Sequence, residues 1–133
     1  MARLLPAAVF FDAYGTLIHY PEKPSPFDYM ANAMDRLGWT IPRVWLDDAL
    51  RAEMAYYKEH FSSVRSEADL KQLRTSDAKV YMDALGNWAG GDPDIEALAT
   101  ELALAFQTRV LADADSAIDV VRRAGVRTGV LSN

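Results

Sequence analysis

The sequence contains no cysteine among its 133 residues, and this absence removes several classes of function. Disulfide bonds, thiol catalysis and cysteine-based zinc sites are all excluded. Long apolar runs are missing as well: the segment 3–11 has one basic residue and an apolar stretch interrupted by Pro6, too short to cross a membrane. We therefore expect no membrane association and a cytoplasmic location, which the lack of cysteine fits.

Basic residues are outnumbered by acidic ones, 14 against 19, so the net charge is −5. Nucleic-acid binding relies on basic surfaces, and we therefore expect no nucleic-acid partner. Half of the residues are hydrophobic and a quarter are charged, a composition typical of a packed globular protein. The length suits one ordinary domain.

An apolar segment near the N-terminus runs directly into a carboxylate. The residues Ala8 to Phe11 predict a strand buried on both faces of a parallel sheet, and Asp12 follows at its carboxyl end. Gly15 indicates a turn immediately afterwards. Open α/β sheets build their binding sites at this edge, although an aspartate leaving a strand also serves as a cap or turn residue.

Two motifs resemble those of the haloacid dehalogenase (HAD) superfamily of hydrolases. The string Asp-Ala-Tyr-Gly-Thr-Leu at 12–17 resembles the first motif, in which an apolar strand delivers a nucleophilic aspartate and Gly-Thr follows. The ending Gly-Val-Leu-Ser-Asn at 129–133 is similar to the second motif, an apolar strand ending in Ser or Thr. The resemblance implies hydrolysis of a small anionic substrate through a covalent intermediate.

The resemblance also implies roles for individual residues. Asp12 is the expected nucleophile, and the hydroxyls of Thr16 and Ser132 are expected to hold the transferred or bound group. Backbone amides of the turn 13–15 join them as donors to the developing charge. Local hydrogen bonding within turns is the alternative role for both hydroxyls. The remaining substrate-binding candidates are Tyr14, Gly15, Asn133 and Arg43.

Tyr14 departs from the pattern of the family's phosphatases, where an aspartate at this position protonates the leaving alkoxide. A halide needs no proton, so Tyr14 favours the 2-haloacid dehalogenase branch, while a phosphate ester stays open as substrate. In the phosphatase branch the resemblance implies Mg²⁺, held by Asp12 and the backbone carbonyl of Tyr14. The dehalogenase branch implies no metal.

Arg43 is a candidate because dehalogenases of this family grip the substrate with an arginine of the cap. Arg51 and Arg65 are alternatives in the same region. The residues around Arg43, Ile-Pro-Arg-Val-Trp at 41–45, do not resemble the usual cap segment of that branch. An ordinary surface position is the competing interpretation for Arg43.

Helical periodicity dominates the middle of the chain. We predict four helices there, with Ser25 capping the first and Pro26 at its start, and with Asp92 and Pro93 beginning the fourth. The predicted ranges are 26–37, 42–61, 66–85 and 93–106, followed by a fifth helix at 114–124 and a strand at 126–131. The apolar stripe predicted for the second helix consists of Leu46, Leu50, Met54, Tyr57 and Phe61.

The predicted fold class is α/β, with an incomplete HAD-like Rossmannoid parallel-sheet core and an inserted all-helical cap. Residues 1–18 and 110–133 form the expected core, and residues 19–109 form the expected cap domain. The family's later lysine and acidic pair have no counterpart here, so we expect the N-terminal portion of a longer enzyme. Partners are then a small anionic substrate and either a second copy or the missing C-terminal half. A catalytically inactive fragment or assembly unit is the alternative function.

Overall fold

The computed structural model describes residues 6–22, 24–86 and 94–132. The chain divides into two compact units, one formed by Met1–Pro21 with Thr108–Asn133 and the other by Glu22–Gln107. The elements, in chain order, are β1 (Ala8–Asp12), β2 (Ile18–His19), α1 (Pro26–Arg36), α2 (Arg43–His60), a 3₁₀ turn (Phe61–Ser63), α3 (Glu67–Leu85), α4 (Ile95–Ala105), β3 (Arg109–Val110), α5 (Ala114–Arg123) and β4 (Arg127–Leu131).

The first unit is built on a small parallel sheet. β1 pairs with β4 in parallel, with Phe10 opposite Gly129 and Asp12 opposite Leu131. β2 and β3 form a separate, short antiparallel pair. The coarse fold prediction is confirmed: the protein is mixed α/β and mostly helical, and it contains a parallel sheet of two strands.

Helix α5 packs against β4 and lies on one face of this sheet. Ile118 of α5 lines a shared groove with Phe11, Thr128 and Val130. The opposite face carries Phe10, which is 61% exposed, so the prediction that β1 is buried on both faces is wrong for the described residues. One helix covers one face of a two-stranded sheet, and the second face stays open to solvent.

The buried face of α5 is a narrow stripe. Ala114 is buried and Ile118 and Val121 are half-buried, whereas Ala117 and Val120 are exposed. The buried set is spaced by four and three residues, the spacing of one helical stripe. Ala117 and Val120 lie outside that stripe.

The second unit is a bundle of α1 to α4, in which α2 packs mainly against α3. Its core consists of apolar side chains from all four helices. The largest fully buried members are Tyr81, Met30, Met34, Leu50, Leu85 and Leu98. No helix in the described ranges has both the length and the apolar character needed to cross a membrane.

Local sequence signals set the helix starts. The Ser25 hydroxyl accepts a hydrogen bond from the Asp28 amide at 3.1 Å, and Pro26 begins α1, as predicted. Helix α4 differs from its prediction, because its N-cap is Asp94, whose carboxylate accepts from the Ala97 amide at 3.0 Å. The predicted cap, Asp92 with Pro93, lies outside the described residues.

The apolar stripe predicted for α2 is wrong at Met54 and Phe61, whereas its member Tyr57 is half-buried. Leu46 and Leu50 are buried, but the buried face continues through Glu53, while Met54 and Phe61 are exposed. Steps of four residues drift around a helix with 3.6 residues per turn, so repeated four-residue spacing leaves the buried face. A step of three returns to it, and Glu53 occupies that position.

Candidate functional site

The carboxyl edge of the parallel sheet carries two of the predicted catalytic residues. Asp12 ends β1 and is paired with Leu131, the last residue of β4. Ser132 follows Leu131 directly, and both Asp12 and Ser132 are exposed. Because the strands are parallel, their carboxyl ends open at the same edge, where α/β sheets place ligands. Asn133, which follows Ser132 and is a predicted substrate-binding residue, lies outside the described residues.

The loop after Asp12 is a tight turn held by its own backbone. The carbonyl of Ala13 accepts from the amides of Leu17 at 2.8 Å and Ile18 at 2.9 Å. Gly15 has φ +79°, in the left-handed region that glycine adopts at no steric cost. Its amide donates to the Ile18 carbonyl at 2.7 Å and is therefore engaged inside the loop. Of the three predicted amide donors at 13–15, Gly15 is therefore removed, and the amides of Ala13 and Tyr14 remain as candidates.

The predicted hydroxyls are exposed rather than used to stabilise turns. Thr16 lies at the tip of the loop, and Ser132 follows the end of β4. Neither hydroxyl forms a hydrogen bond with another residue in the part of the chain that the structure describes. Both hydroxyls are consequently able to donate to an anion at this edge.

Tyr14 contacts an aromatic residue that sequence reasoning missed. Its ring centroid is 5.3 Å from that of Tyr20, with an interplanar angle of 54°. Both rings are exposed and form an aromatic wall beside the loop that follows Asp12. The contact arises because β2 returns the chain toward Tyr14. A signal was present in the sequence, since the turn at Gly15 is followed by two apolar residues that can form such a return strand.

Arg43 begins α2 in the helical unit and is held there by two carboxylates. Its guanidinium donates to Asp47 at 2.6 Å and to Asp28 at 2.9 Å. Both hydrogen bonds raise the pKa of Arg43, and the bond to Asp47 has the larger effect. The two carboxylates also offset the positive charge of Arg43. The two alternatives are also engaged locally: Arg51 pairs with Asp48 at 2.7 Å, and Arg65 donates to backbone carbonyls of its own turn.

A magnesium ion at the sheet edge would need oxygen ligands. Proteins hold Mg²⁺ with one or two carboxylates, completed by water and substrate phosphate. At this edge Asp12 supplies one carboxylate, and nowhere in residues 6–22, 24–86 and 94–132 do three His, Asp or Glu side chains converge on a metal position. In the phosphatase branch Asp12 and the backbone carbonyl of Tyr14 would hold the ion, with water and the substrate phosphate completing its ligands.

Comparisons of the chain with protein-family models, with curated proteins and with solved structures found no match.

Proposed function

We propose that this protein is a hydrolase that attacks a small anionic substrate, a phosphate ester or a 2-haloacid, through a covalent intermediate on Asp12. The observation that carries the proposal is the exposed Asp12 carboxylate beside Ser132 at the carboxyl edge of a parallel sheet. The resemblance of segments 12–17 and 129–133 to the HAD motifs supplies the reaction class. As part of the same proposal, the 22–107 unit is a helical cap and the location is cytoplasmic.

With a phosphate ester, a carboxylate oxygen of Asp12 bonds to phosphorus while the bond from phosphorus to the alcohol oxygen breaks. The departing alkoxide takes a proton from water. A second water then attacks phosphorus, the bond to Asp12 breaks, and inorganic phosphate and the free carboxylate result, with one proton released to solvent.

With a 2-haloacid, the Asp12 oxygen bonds to the carbon that carries the halogen, and the halide leaves with the bonding electron pair. Water attacks the carbonyl carbon of the resulting ester. The products are a 2-hydroxy acid and a proton, and the restored Asp12 carboxylate then contains one oxygen from water. The two branches therefore differ in where solvent oxygen is incorporated.

Charge that develops on the substrate faces a small set of donors. The Thr16 and Ser132 hydroxyls and the Ala13 and Tyr14 amides are the donors we assign to this task. A donor of this kind contributes about 10²–10³ in turnover in well-studied hydrolases. We assign the contact with the uncharged part of the substrate to the exposed Tyr14–Tyr20 wall.

Tyr14 favours the haloacid branch within this proposal. A phosphatase without an acid at this position has to protonate its alkoxide from water, and general acid catalysis is worth about 10²–10⁴-fold. Halide departure carries no such requirement. Between the two substrates, we therefore propose the 2-haloacid over the phosphate ester.

Mass spectrometry of trapped intermediates tests the nucleophile. The protein is mixed with panels of phosphomonoesters and 2-haloacids, with and without Mg²⁺, in water enriched in ¹⁸O. We expect a single-turnover label on Asp12 for a haloacid and a label on released phosphate for an ester. Metal-free halide release supports the dehalogenase branch, and Mg²⁺-dependent phosphate release supports the phosphatase branch.

The variant Asp12→Asn is expected to lower turnover by roughly 10³-fold or more, because the amide is a poor nucleophile. Asp113→Asn is the matched control, since Asp113 is an exposed acid in the same unit and its side chain makes no cap bond. Full activity in Asp12→Asn, or equal loss in both variants, would contradict the assignment.

An assembly role is the second candidate, and exposed apolar residues on the open sheet face favour it. Phe10 is 61% exposed and Leu131 is 64% exposed, and both belong to that face by the strand register. Absence of turnover with every substrate, together with concentration-dependent association, would favour this role over hydrolysis.

A further inference from the structure

Three polar side chains are buried where α2 meets α3 in the helical unit. Glu53 is 4% exposed, Asp77 is 2% exposed and Tyr81 is fully buried. One oxygen of each, namely Glu53 Oε2, Asp77 Oδ1 and Tyr81 Oη, has no hydrogen-bond partner among the described residues. Buried polar atoms almost always have a partner, so a cluster of three orphaned oxygens requires an explanation.

The neighbouring charged groups are few. On α2, the charge of Asp47 favours a higher pKa of Tyr81, and the charge of His60 favours a lower pKa of Asp77. His60 Nδ1 is bonded to the Tyr56 carbonyl at 2.8 Å. The charged groups between α1 and α4 instead bind one another, with the Glu101 carboxylate accepting from Tyr29 at 2.8 Å and Arg36 at 3.0 Å.

Two carboxylates buried on packed helices and close enough to interact electrostatically are costly when both are ionised. Burial, followed by the charge of Asp77, raises the pKa of Glu53 to about 7. Burial also raises the pKa of Asp77 to about 6, against the opposing effect of His60. A proton on either carboxyl removes the repulsion and the cost of holding that group charged in the interior.

A metal ion fits this cluster less well than a proton. Only two carboxylates are present, and the described part of the helical unit has no group of three His, Asp or Glu side chains able to hold a metal. Tyr81 adds a phenol that prefers its neutral form, because burial and the nearby carboxylates raise its pKa.

We propose that Glu53 and Asp77 form a protonation-controlled latch between α2 and α3. The helices pack tightly while the carboxyl pair holds a proton, and the contact loosens when both carboxyls are ionised. The latch acts near neutral pH and is independent of the chemistry assigned to Asp12.

The direction follows from proton linkage. The unfolded chain loses the Glu53 proton near its ordinary value of 4.5, whereas the folded chain keeps it to about 7. Between these values the folded state binds more protons, so stability falls as pH rises. The unfolding equilibrium constant is expected to rise on the order of 100-fold between pH 4.5 and 8 on account of Glu53.

Urea unfolding of the whole chain, followed by circular dichroism from pH 5 to pH 8.5, tests the latch. We expect Glu53→Gln and Asp77→Asn each to flatten the pH dependence and to lower the unfolding constant at pH 8.5 by about tenfold or more. Glu59→Gln is the matched control, because Glu59 is an exposed acid on the same helix, and it should leave the profile unchanged.

A carboxyl ¹³C NMR titration of the unmodified protein gives a second measurement that does not depend on any variant folding. Midpoints above 6 for at least one of the two carboxyls, with α2 and α3 amides exchanging faster above that midpoint, support the latch. Both midpoints below 5 overturn it. Stabilisation at pH 8.5 by added Ca²⁺ or Mg²⁺, lost in Glu53→Gln, also overturns it in favour of a cation site.

Discussion

At the scale of single residues, the proposed hydrolysis assigns to Tyr14 the choice of leaving group at Asp12. Its ring lies against Tyr20, and it stands two positions after the proposed nucleophile. A phenol held at a loop edge is a weak proton donor near neutral pH compared with a carboxylic acid. Replacement of this one side chain therefore offers a direct test of the branch.

Tyr14→Asp is expected to raise phosphomonoester turnover by about 10²-fold, because it supplies the missing general acid. Haloacid turnover should fall, since the aromatic wall with Tyr20 is lost. Tyr14→Asn is the control, because it matches aspartate in shape and donates no such proton. Steady-state phosphate and halide release measure both effects, and equal phosphate release by the two variants would rule out the general-acid explanation.

At the scale of secondary-structure elements, the helix caps determine where the bundle's helices begin. The Ser66 hydroxyl accepts from the Asp69 amide at 3.1 Å, and the Asp69 carboxylate accepts from the Arg65 amide at 3.0 Å. Ser66→Ala removes one partner of an otherwise unsatisfied amide and should destabilise the helical unit by about 1 kcal/mol. Urea unfolding measures the loss. Ser62→Ala, at an exposed hydroxyl in the same unit, should change little.

The parallel pair of β1 and β4 contains a contact that only glycine permits. A Cβ atom built on Gly129 would lie 2.8 Å from the ring atoms Cδ1 and Cε1 of Phe10, its cross-strand partner. We expect Gly129→Ala to destabilise the protein by about 1 kcal/mol, because the ring has to leave the sheet. In a Phe10→Ala background the same change should be neutral or stabilising. Additive effects in this double-mutant cycle would show that the ring does not constrain the position.

The sequence predicts these elements well where the signal is local. Ser25 sets the start of α1, as predicted, because its hydroxyl caps the neighbouring backbone amide of Asp28. Local signals do not distinguish Asp92 from Asp94 as the cap of α4, since both are acidic and stand near a proline. Glu53 was missed on the buried face of α2 because apolar patterning ignores a carboxyl that tertiary packing buries.

In the candidate site, too, some features could be predicted from the sequence and others depend on tertiary structure. Asp12 and Ser132 could be predicted to share an edge because parallel strands align their carboxyl ends. The apolar residues after Gly15 indicate a return strand, but the Tyr14–Tyr20 contact itself depends on the path that β2 takes. Arg43 is bonded to Asp28, which belongs to another helix, and no local pattern reveals such a partner.

At the scale of the whole molecule, the exposed apolar sheet face predicts association between copies. Phe10 and Leu131 lie on the face opposite α5, and both are more than half exposed. Burial of apolar surface of this kind yields about 25 cal/mol for each Å² removed from water, so the face favours contact with a second copy. Sedimentation velocity should show association that increases with protein concentration.

The double variant Phe10→Ser, Leu131→Ser should sediment as a monomer, because it removes the apolar area while leaving the backbone register in place. Val44→Ser is the matched control, since Val44 is an equally exposed apolar residue in the helical unit. Gly129 makes the comparison sharper, because Gly129→Ala displaces the Phe10 ring without changing polarity and should alter association through shape alone. If Val44→Ser disperses the protein as effectively as the double variant, the sheet face is not the contact, and general surface apolarity drives association instead.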